Sequence, residues 1–266
     1  MRLTVLTDNN TYIDRYYLGE PALCYFIEDG GVRLLFDTGY SDVAARNAEA
    51  MGIDLTALDC VVLSHGHNDH TGGLLRLPRG ERPARLVAHP RVFGERRAGG
   101  LSVGSPCSRG QAAERFQLRL SREPVAVSPA LMFLGEIPRK NDFEGAPVGE
   151  ALRGGEWKPD LLPDDSALAC RTAEGLVIIT GCSHAGLCNI IERARAVMKE
   201  ARVRAVIGGF HLFGRSRQLE RTMDYLAGLA PRPELYPCHC TDFAARCALA
   251  ERLPVHEVGV GLCLEW

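Results

Sequence analysis

Residues 64 to 73 read Ser-His-Gly-His-Asn-Asp-His-Thr-Gly-Gly, and four of those side chains, His65, His67, Asp69 and His70, are strong metal ligands confined to six positions. A single histidine is ordinarily a core residue with satisfied hydrogen bonds. Three imidazoles and a carboxylate packed together without a cation incur desolvation with no return, so the cluster reads as a metal site. It holds no thiolate, and nitrogen and oxygen ligation suits zinc, iron(II), manganese or cobalt. The apolar run Cys60-Val61-Val62-Leu63 ahead of it reads as a buried strand that delivers the cluster at its own end. In extended chain His65 and His67 point the same way, whereas Asp69 and His70 fall in the first turn of a helix, so the two halves can serve two cations.

This H-x-H-x-D-H motif resembles that of the metallo-β-lactamase superfamily, and other stretches fall in matching order. Leu34-Leu35-Phe36-Asp37-Thr38-Gly39 is similar to its first motif, in which Asp37 would orient a ligand histidine from behind. His239, in Pro237-Cys238-His239-Cys240-Thr241, is similar to its last metal histidine. After the strand Leu176-Val177-Ile178-Ile179 most members carry Gly-Asp with a metal-bridging carboxylate, but here Gly181-Cys182-Ser183-His184 stands in that place. His184 then replaces a ligand that other members draw from an earlier loop. Cys182 is either a bridging thiolate or a small core residue behind the ligands.

The resemblance implies an α/β fold, a four-layer αββα sandwich, and two divalent metal ions, zinc first, with manganese or iron as alternatives. His65, His67 and His184 would surround one ion, and Asp69, His70 and His239 the other. The implied chemistry is hydrolysis of an ester or phosphoester by activated water, with Asp69 orienting the water. His211 follows the apolar strand Val203 to Ile207 and two glycines, at a place resembling that of a catalytic histidine in phosphodiesterase members, and would protonate the leaving group.

A narrower likeness rests on Gly135-Glu136-Ile137-Pro138-Arg139, Asp164-Asp165-Ser166-Ala167-Leu168, Gly181 to Gly186, Gly208-Gly209-Phe210-His211-Leu212 and His239-Cys240-Thr241. These strings resemble the branch whose members carry the name dihydropterin-ribofuranosylaminobenzene 5'-phosphate synthase. That branch implies an alternative, a transferase joining a pterin methyl carbon to an aminobenzene ring with loss of diphosphate. It also makes Glu136 and Arg139 the expected substrate contacts. A metal-dependent binding protein without turnover is a third reading, to be tested by substrate panels.

Length and composition accommodate one catalytic domain over residues 1–266, and a net charge of −2 gives no case for nucleic acid. The expected partner is a small, anionic molecule, and the oligomeric state is not legible. No apolar run reaches membrane length, and Met1 to Asp8 reads as a strand instead of a leader, so a cytoplasmic location is expected. Cys24, Cys60, Cys170, Cys182, Cys188 and Cys263 sit in apolar contexts typical of buried free thiols. Cys238 and Cys240, on a strand end, are expected to point away from His239. There is no phosphate-cradling G-x-x-x-x-G-K-[ST] string and no G-x-S-x-G elbow.

Strands are predicted at 2–7, 22–28, 32–36, 60–64, 85–88, 167–171, 176–180, 203–207, 234–236, 255–258 and 261–264, with helices at 41–51, 187–200, 216–229 and 242–252. Ser41 is the expected cap of the first helix and Gly52 its end. Between the halves, residues 90–160 break the periodicity and predict an irregular insertion or cover beside the metal edge. Arg91, Arg96, Arg97 and Arg109 within it are expected on a solvated face.

Overall fold

The computed structural model describes every residue, 1–266. One seven-stranded sheet runs in the order Cys263–Glu265, Arg2–Thr7, Cys24–Asp29, Val32–Phe36, Cys60–Val62, Arg85–Ala88, Gln117–Leu120. A six-stranded sheet has the order Glu234–Cys238, Val203–Gly209, Gly175–Thr180, Ala167–Thr172, Leu131–Phe133, Val125–Ala126. Inward-facing residues of both sheets, among them Val5, Tyr25, Phe36, Val62, Val177, Ile179 and Ile207, form one buried cluster, so the sheets pack face to face. On the outer face of the second sheet, helices Leu187–Met198, Arg217–Ala227 and Phe243–Ala250 cover another core with Ile190, Leu219, Ala245 and Leu249. Helix Val43–Ala50 covers the outer face of the first sheet, through Ala44 and Ala48. These are the four αββα layers.

Burial on both faces explains why Gly175–Thr180 reads as an unbroken apolar run instead of an alternating one. The hairpin at Asp29-Gly30-Gly31 forms as expected, with Gly30 at φ 56° and Gly31 at φ 83°, a turn whose twist suits the flanking strands. Helix Val43–Ala50 starts later than expected: Asp42, not Ser41, precedes it, and the Ser41 Oγ accepts only from the Val43 N–H at 3.2 Å. Residues 255–258 form no strand; Val255 makes one isolated bridge to Leu235. Cys263 is exposed, contrary to its apolar context, because its strand lies at the sheet edge.

The segment 90–160 is only partly irregular. Gln117–Leu120 extends the first sheet, Val125–Ala126 and Leu131–Phe133 extend the second, and Glu156–Pro159, Glu150–Arg153, Arg96–Ala98 and Leu101–Ser102 form a small third sheet. Its strands are too short for an alternating pattern to show, and Arg96 pairs with Ala151, far along the chain. Arg96 is not solvated either. It is 4 % exposed, and its guanidinium donates to Asp160 at 2.8 Å and to Asp164 at 2.6 Å.

No helix is long and apolar enough to cross a membrane. All the strand ends that matter face one way: Asp37, Ser64, Gly181, His211 and His239 each follow a strand of the parallel parts of the two sheets. The carboxyl ends of parallel strands are where α/β sheets gather ligands.

Candidate metal centre

Asp37 is the keystone of the site. It is fully buried at φ 60° immediately after strand Val32–Phe36. Its Oδ1 accepts the Ser64 backbone N–H at 2.7 Å, and its Oδ2 accepts the Ser64 hydroxyl at 2.7 Å and the His70 Nδ1–H at 2.7 Å. Because the Ser64 hydroxyl hydrogen is committed to Asp37, its oxygen can only accept from His65 Nδ1, 2.9 Å away. One carboxylate thus commits Nδ1 of two histidines, leaving Nε2 of His65 and of His70 as the nitrogens that can face a cation.

The third ligand nitrogen is set from the two residues that follow strand Arg2–Thr7. The His239 backbone N–H donates to Asp8 at 3.0 Å, and its Nδ1 faces the Asn9 side-chain oxygen at 3.1 Å, an acceptor, so Nε2 is again bare. Nε2 of His70 and Nε2 of His239 then confront each other at 3.2 Å, with Asp69 Oδ2 at 3.7 Å from the first and 3.3 Å from the second. Two imidazole lone pairs and a carboxylate at that separation repel unless a positive charge lies between them. The protonation preferences agree. Burial works against a charge on His70, but the Asp69 and Asp37 carboxylates outweigh it and raise the ring to about 9. Burial likewise opposes ionisation of Asp69, and His70 and His239 overcome it, holding that carboxyl well below its usual range.

His65, His67 and His184 form the other half. Their rings meet edge to face, 4.7 Å between centroids for His65 and His67, 4.8 Å for His65 and His184, and 4.9 Å for His67 and His184. Both ring nitrogens of His184 and Nε2 of His67 are buried with no hydrogen-bond partner. Burial, then the neighbouring imidazoles, pushes His65 and His184 far below the ordinary histidine value; burial pushes His67 down to about 4. His65 Nε2 meets His67 Nδ1 at 3.1 Å, so the unpartnered nitrogens are those of His184 and Nε2 of His67; neutral, buried imidazole nitrogens left without partners are what a cation needs and what a core without one avoids. The ligand atoms of Asp69, His70, Cys182 and His239 lie within 4.8 Å of one another, as do those of His65, Cys182 and His184. The residues therefore fit divalent cations.

The remaining expectations divide. Cys182 is not behind the ligands: its sulfur is 3.1 Å from His70 Nε2. His211 is at hand, its ring 4.4 Å from that of His184, with Nδ1 buried and unpartnered. Glu136 and Arg139 do not join the cluster. Glu136 pairs with Arg122 at 2.7 Å, and Arg139 donates to the carbonyl of Leu161, so both are engaged by the protein. Cys240 differs from the expected orientation, although it stands in neither ligand group. A backbone at φ 49° at His239 breaks the strand alternation, and the Cys240 side chain turns inward against Cys182 and His211.

Four supporting residues also went unseen. Asp8 and Asn9 hold His239, Asp164 accepts the Gly66 N–H at 2.9 Å, and Asp165 accepts the Ala185 N–H at 2.8 Å. The adjacent acids thus clamp the turn of His65 and His67 to the turn of His184. The pair Asp164-Asp165 stood in a family-like string, which was the available signal.

A pH signature follows for chelator-treated protein. An unfolded histidine titrates near 6.5, whereas folded His67 resists protonation until about 4, so stability falls as pH drops through that window. His67 alone contributes roughly 3 kcal/mol to this fall, and His65 and His184 act in the same direction. His70 has the opposite sign: its stabilisation is complete below about 6.5 and is lost as pH rises through about 9. Melting temperature without metal should therefore peak near neutrality and decline on both sides. Saturating divalent cation should abolish the alkaline decline, since it takes the proton's place; a decline unaffected by metal would refute this account.

Comparison with known proteins agrees with the fold and the motif. The family model described as "Metallo-beta-lactamase superfamily" matches residues 18–198. The uncharacterized protein MJ0448 of Methanocaldococcus jannaschii is 29% identical over 252 residues, 94% of each chain. A second protein of that organism, named 7,8-dihydropterin-6-methyl-4-(beta-D-ribofuranosyl)-aminobenzene-5'-phosphate synthase, is 32% identical over 236 residues, covering 82% of this chain and 79% of its own. The crystal structure of Tm1679, described as a metal-dependent hydrolase of the beta-lactamase superfamily, superposes with a TM-score of 0.88 at 30% identity, covering 100% of this chain and 99% of the other. On its fold, its strand-end histidines and these matches, the chain belongs to the metallo-β-lactamase superfamily.

Proposed function

We propose that the chain is a two-cation hydrolase, with zinc preferred, acting on an ester or phosphoester bond of a small anionic molecule. The observation that carries this reading is the confrontation of His70 Nε2 and His239 Nε2 at 3.2 Å, with each ring's other nitrogen committed to an oxygen acceptor. His65, His67 and His184 would hold one cation, and Asp69, His70 and His239 the other. Cations held there supply Lewis acidity, which activates water at neutral pH and neutralises charge developing on the attacked oxygen.

The protein's own groups do the rest. Asp69 is the only carboxylate in either ligand group, and besides binding it would accept a hydrogen bond from attacking water. His211 sits beyond His184, where a proton on its ring can pass to a leaving oxygen. A cavity of about 330 Å³ opens beside His67 and Asp69 and is lined by Tyr40, Asn68, Ala98, Val103 and Val148. It shares Tyr40 and Asn68 with a second cavity of about 490 Å³ that contains Arg76. Arg76 is exposed and makes no ion pair in the protein, which supports an anionic group on the substrate.

The test is a panel of phosphodiesters, phosphomonoesters, carboxylic esters, lactones and thioesters offered to protein loaded with zinc, manganese or iron(II). Turnover of at least one class is expected, abolished by chelation. His211→Ala should lower it by about 10²- to 10⁴-fold with metal content unchanged, and His184→Ala should lose one equivalent of metal. An inert, fully loaded protein would favour a binding role. The synthase relative supports a transferase as the second reading; a coupled product from the pterin and aminobenzene substrates, in place of hydrolysis, would establish that instead.

A further inference from the structure

We propose that Arg96 is a positioning residue that joins the turn carrying His65 and His67 to the wall of the neighbouring cavity, so that a cation held at His65, His67 and His184 also orders that wall. This rests on the cation reading above and goes beyond it, because Arg96 belongs to neither ligand group and does not line the cavity. It lies in the short strand Arg96–Ala98 of the third sheet, and its guanidinium reaches an acid at each end of the turn 160–164. Nε donates to Asp160 Oδ2 at 2.8 Å and Nη2 to Asp164 Oδ1 at 2.6 Å, with both acids fully buried.

Each acid uses its other oxygen elsewhere. Asp164 Oδ2 accepts the N–H of Gly66, the residue between the two histidines, at 2.9 Å. Asp160 Oδ1 accepts from Arg153 at 2.7 Å and from the Leu162 N–H at 3.0 Å. The Asp160 backbone holds the cavity wall: its carbonyl accepts the Val148 N–H at 2.9 Å, and Val148 lines the cavity beside His67 and Asp69. A second wall residue, Val103, donates its N–H to the Arg96 carbonyl at 3.0 Å, while its own carbonyl accepts the Asn68 N–H at 3.0 Å. The guanidinium packs so closely on Gly66 that an added Cβ there would lie 2.2 Å from Nη1.

Stability alone does not account for this arrangement. Burying these charges costs desolvation that their attraction roughly offsets, so a well-packed apolar side chain would hold the layers as well. What only the guanidinium supplies is a rigid planar fork that fixes two carboxylates relative to each other. Asp160 and Asp164 then cannot shift independently, and neither can the groups they hold. Ordering of the Gly66 turn by a cation therefore passes to Val148, and by reciprocity a molecule that orders the cavity wall strengthens cation binding.

Hydrogen exchange of chelator-treated protein with and without zinc(II) tests this, alongside zinc affinity from chelator competition. In the wild type, zinc is expected to slow exchange at 64–70 and also at 146–163. Arg96→Lys keeps a positive charge between the acids but lacks the fork. It should bind zinc about 10- to 100-fold more weakly and lose the zinc effect at 146–163 while keeping it at 64–70. Asp160→Asn leaves the link from Asp164 to Gly66 in place, so it should also lose the effect at 146–163 but bind zinc as the wild type does. Arg97→Lys, the same exchange at the neighbouring arginine whose partner is Glu150, should match the wild type throughout. A merely structural Arg96 predicts a lower melting temperature in Arg96→Lys with zinc affinity and zinc response unchanged. That result would overturn the inference, as would zinc binding to the wild type without any effect at 146–163. Failure of the wild type to bind zinc would instead remove the cation reading, and this inference with it.

Discussion

Replacing Asp37 with alanine is expected to abolish metal binding and to destabilise the protein by about 3–5 kcal/mol. The carboxylate accepts three hydrogen bonds in a fully buried place, two from Ser64 and one from His70. Removing it leaves those donors without partners, and each buried unsatisfied donor costs about 1–3 kcal/mol. The loss extends beyond the contacts. Without Asp37 the Ser64 hydroxyl is free to donate to His65 Nδ1, which moves that ring's proton to Nε2, the atom that should face the cation. His70 likewise loses the acceptor that pins its tautomer. Asp37→Asn keeps the shape but offers one acceptor oxygen, so it should retain the fold and lose about 10- to 100-fold in metal affinity. Chelator competition and thermal melts measure both quantities; wild-type affinity in Asp37→Asn would show that the orientation argument is wrong.

The second large effect concerns Gly66, between the first two histidines. A Cβ there would lie 2.0 Å from the Val92 carbonyl oxygen and 2.2 Å from the Arg96 guanidinium. Neither can retreat, since Val92 is buried and Arg96 is held by Asp160 and Asp164. Gly66→Ala should therefore cost above ~4 kcal/mol, the range in which a buried ion-pair network and core packing are disturbed together. Gly154→Ala is the informative comparison. That residue has φ 62° but nothing within 4 Å of its added methyl, so its cost should be only the ~1–2 kcal/mol of left-handed backbone. Equal melting temperatures for the two variants would mean that space around Gly66 is not limiting.

The density of ligand-type side chains at His65 to His70 made the candidate metal site legible because no packing role needs three imidazoles so close. The strands that carry it were legible for the same kind of reason: a fully buried strand leaves a continuous apolar run. Cys240 was misread because alternation was extended past His239, and only a left-handed residue, at φ 49°, reverses it. Such residues were invisible in advance, since Asp37, Ser183, His211 and His239 all adopt positive φ without being glycine. Arg96 was misread because its partners Asp160 and Asp164 are more than sixty positions away, and sequence cannot show that a charge has a buried partner at that distance. Glu136 and Arg139 were assigned by resemblance alone, and the structure holds them outside the ligand cluster, bonded to Arg122 and to the Leu161 carbonyl.

Tyr40 and Asn68 come from the stretches that carry the ligands, but Ala98, Val103 and Val148 come from the segment that builds the small third sheet. The walls of this cavity are therefore shared between the ligand-bearing turns and the segment of the third sheet. Substitutions around 98–103 and 145–155 would reshape that cavity and also bear on the ligand turn, because the Val103 carbonyl accepts the Asn68 N–H at 3.0 Å and Gly104 bridges His67. Under the proposed function, chimaeras exchanging that segment, read for both metal content and the substrate class turned over, would separate its part in holding the ligand turn from its part in shaping the cavity.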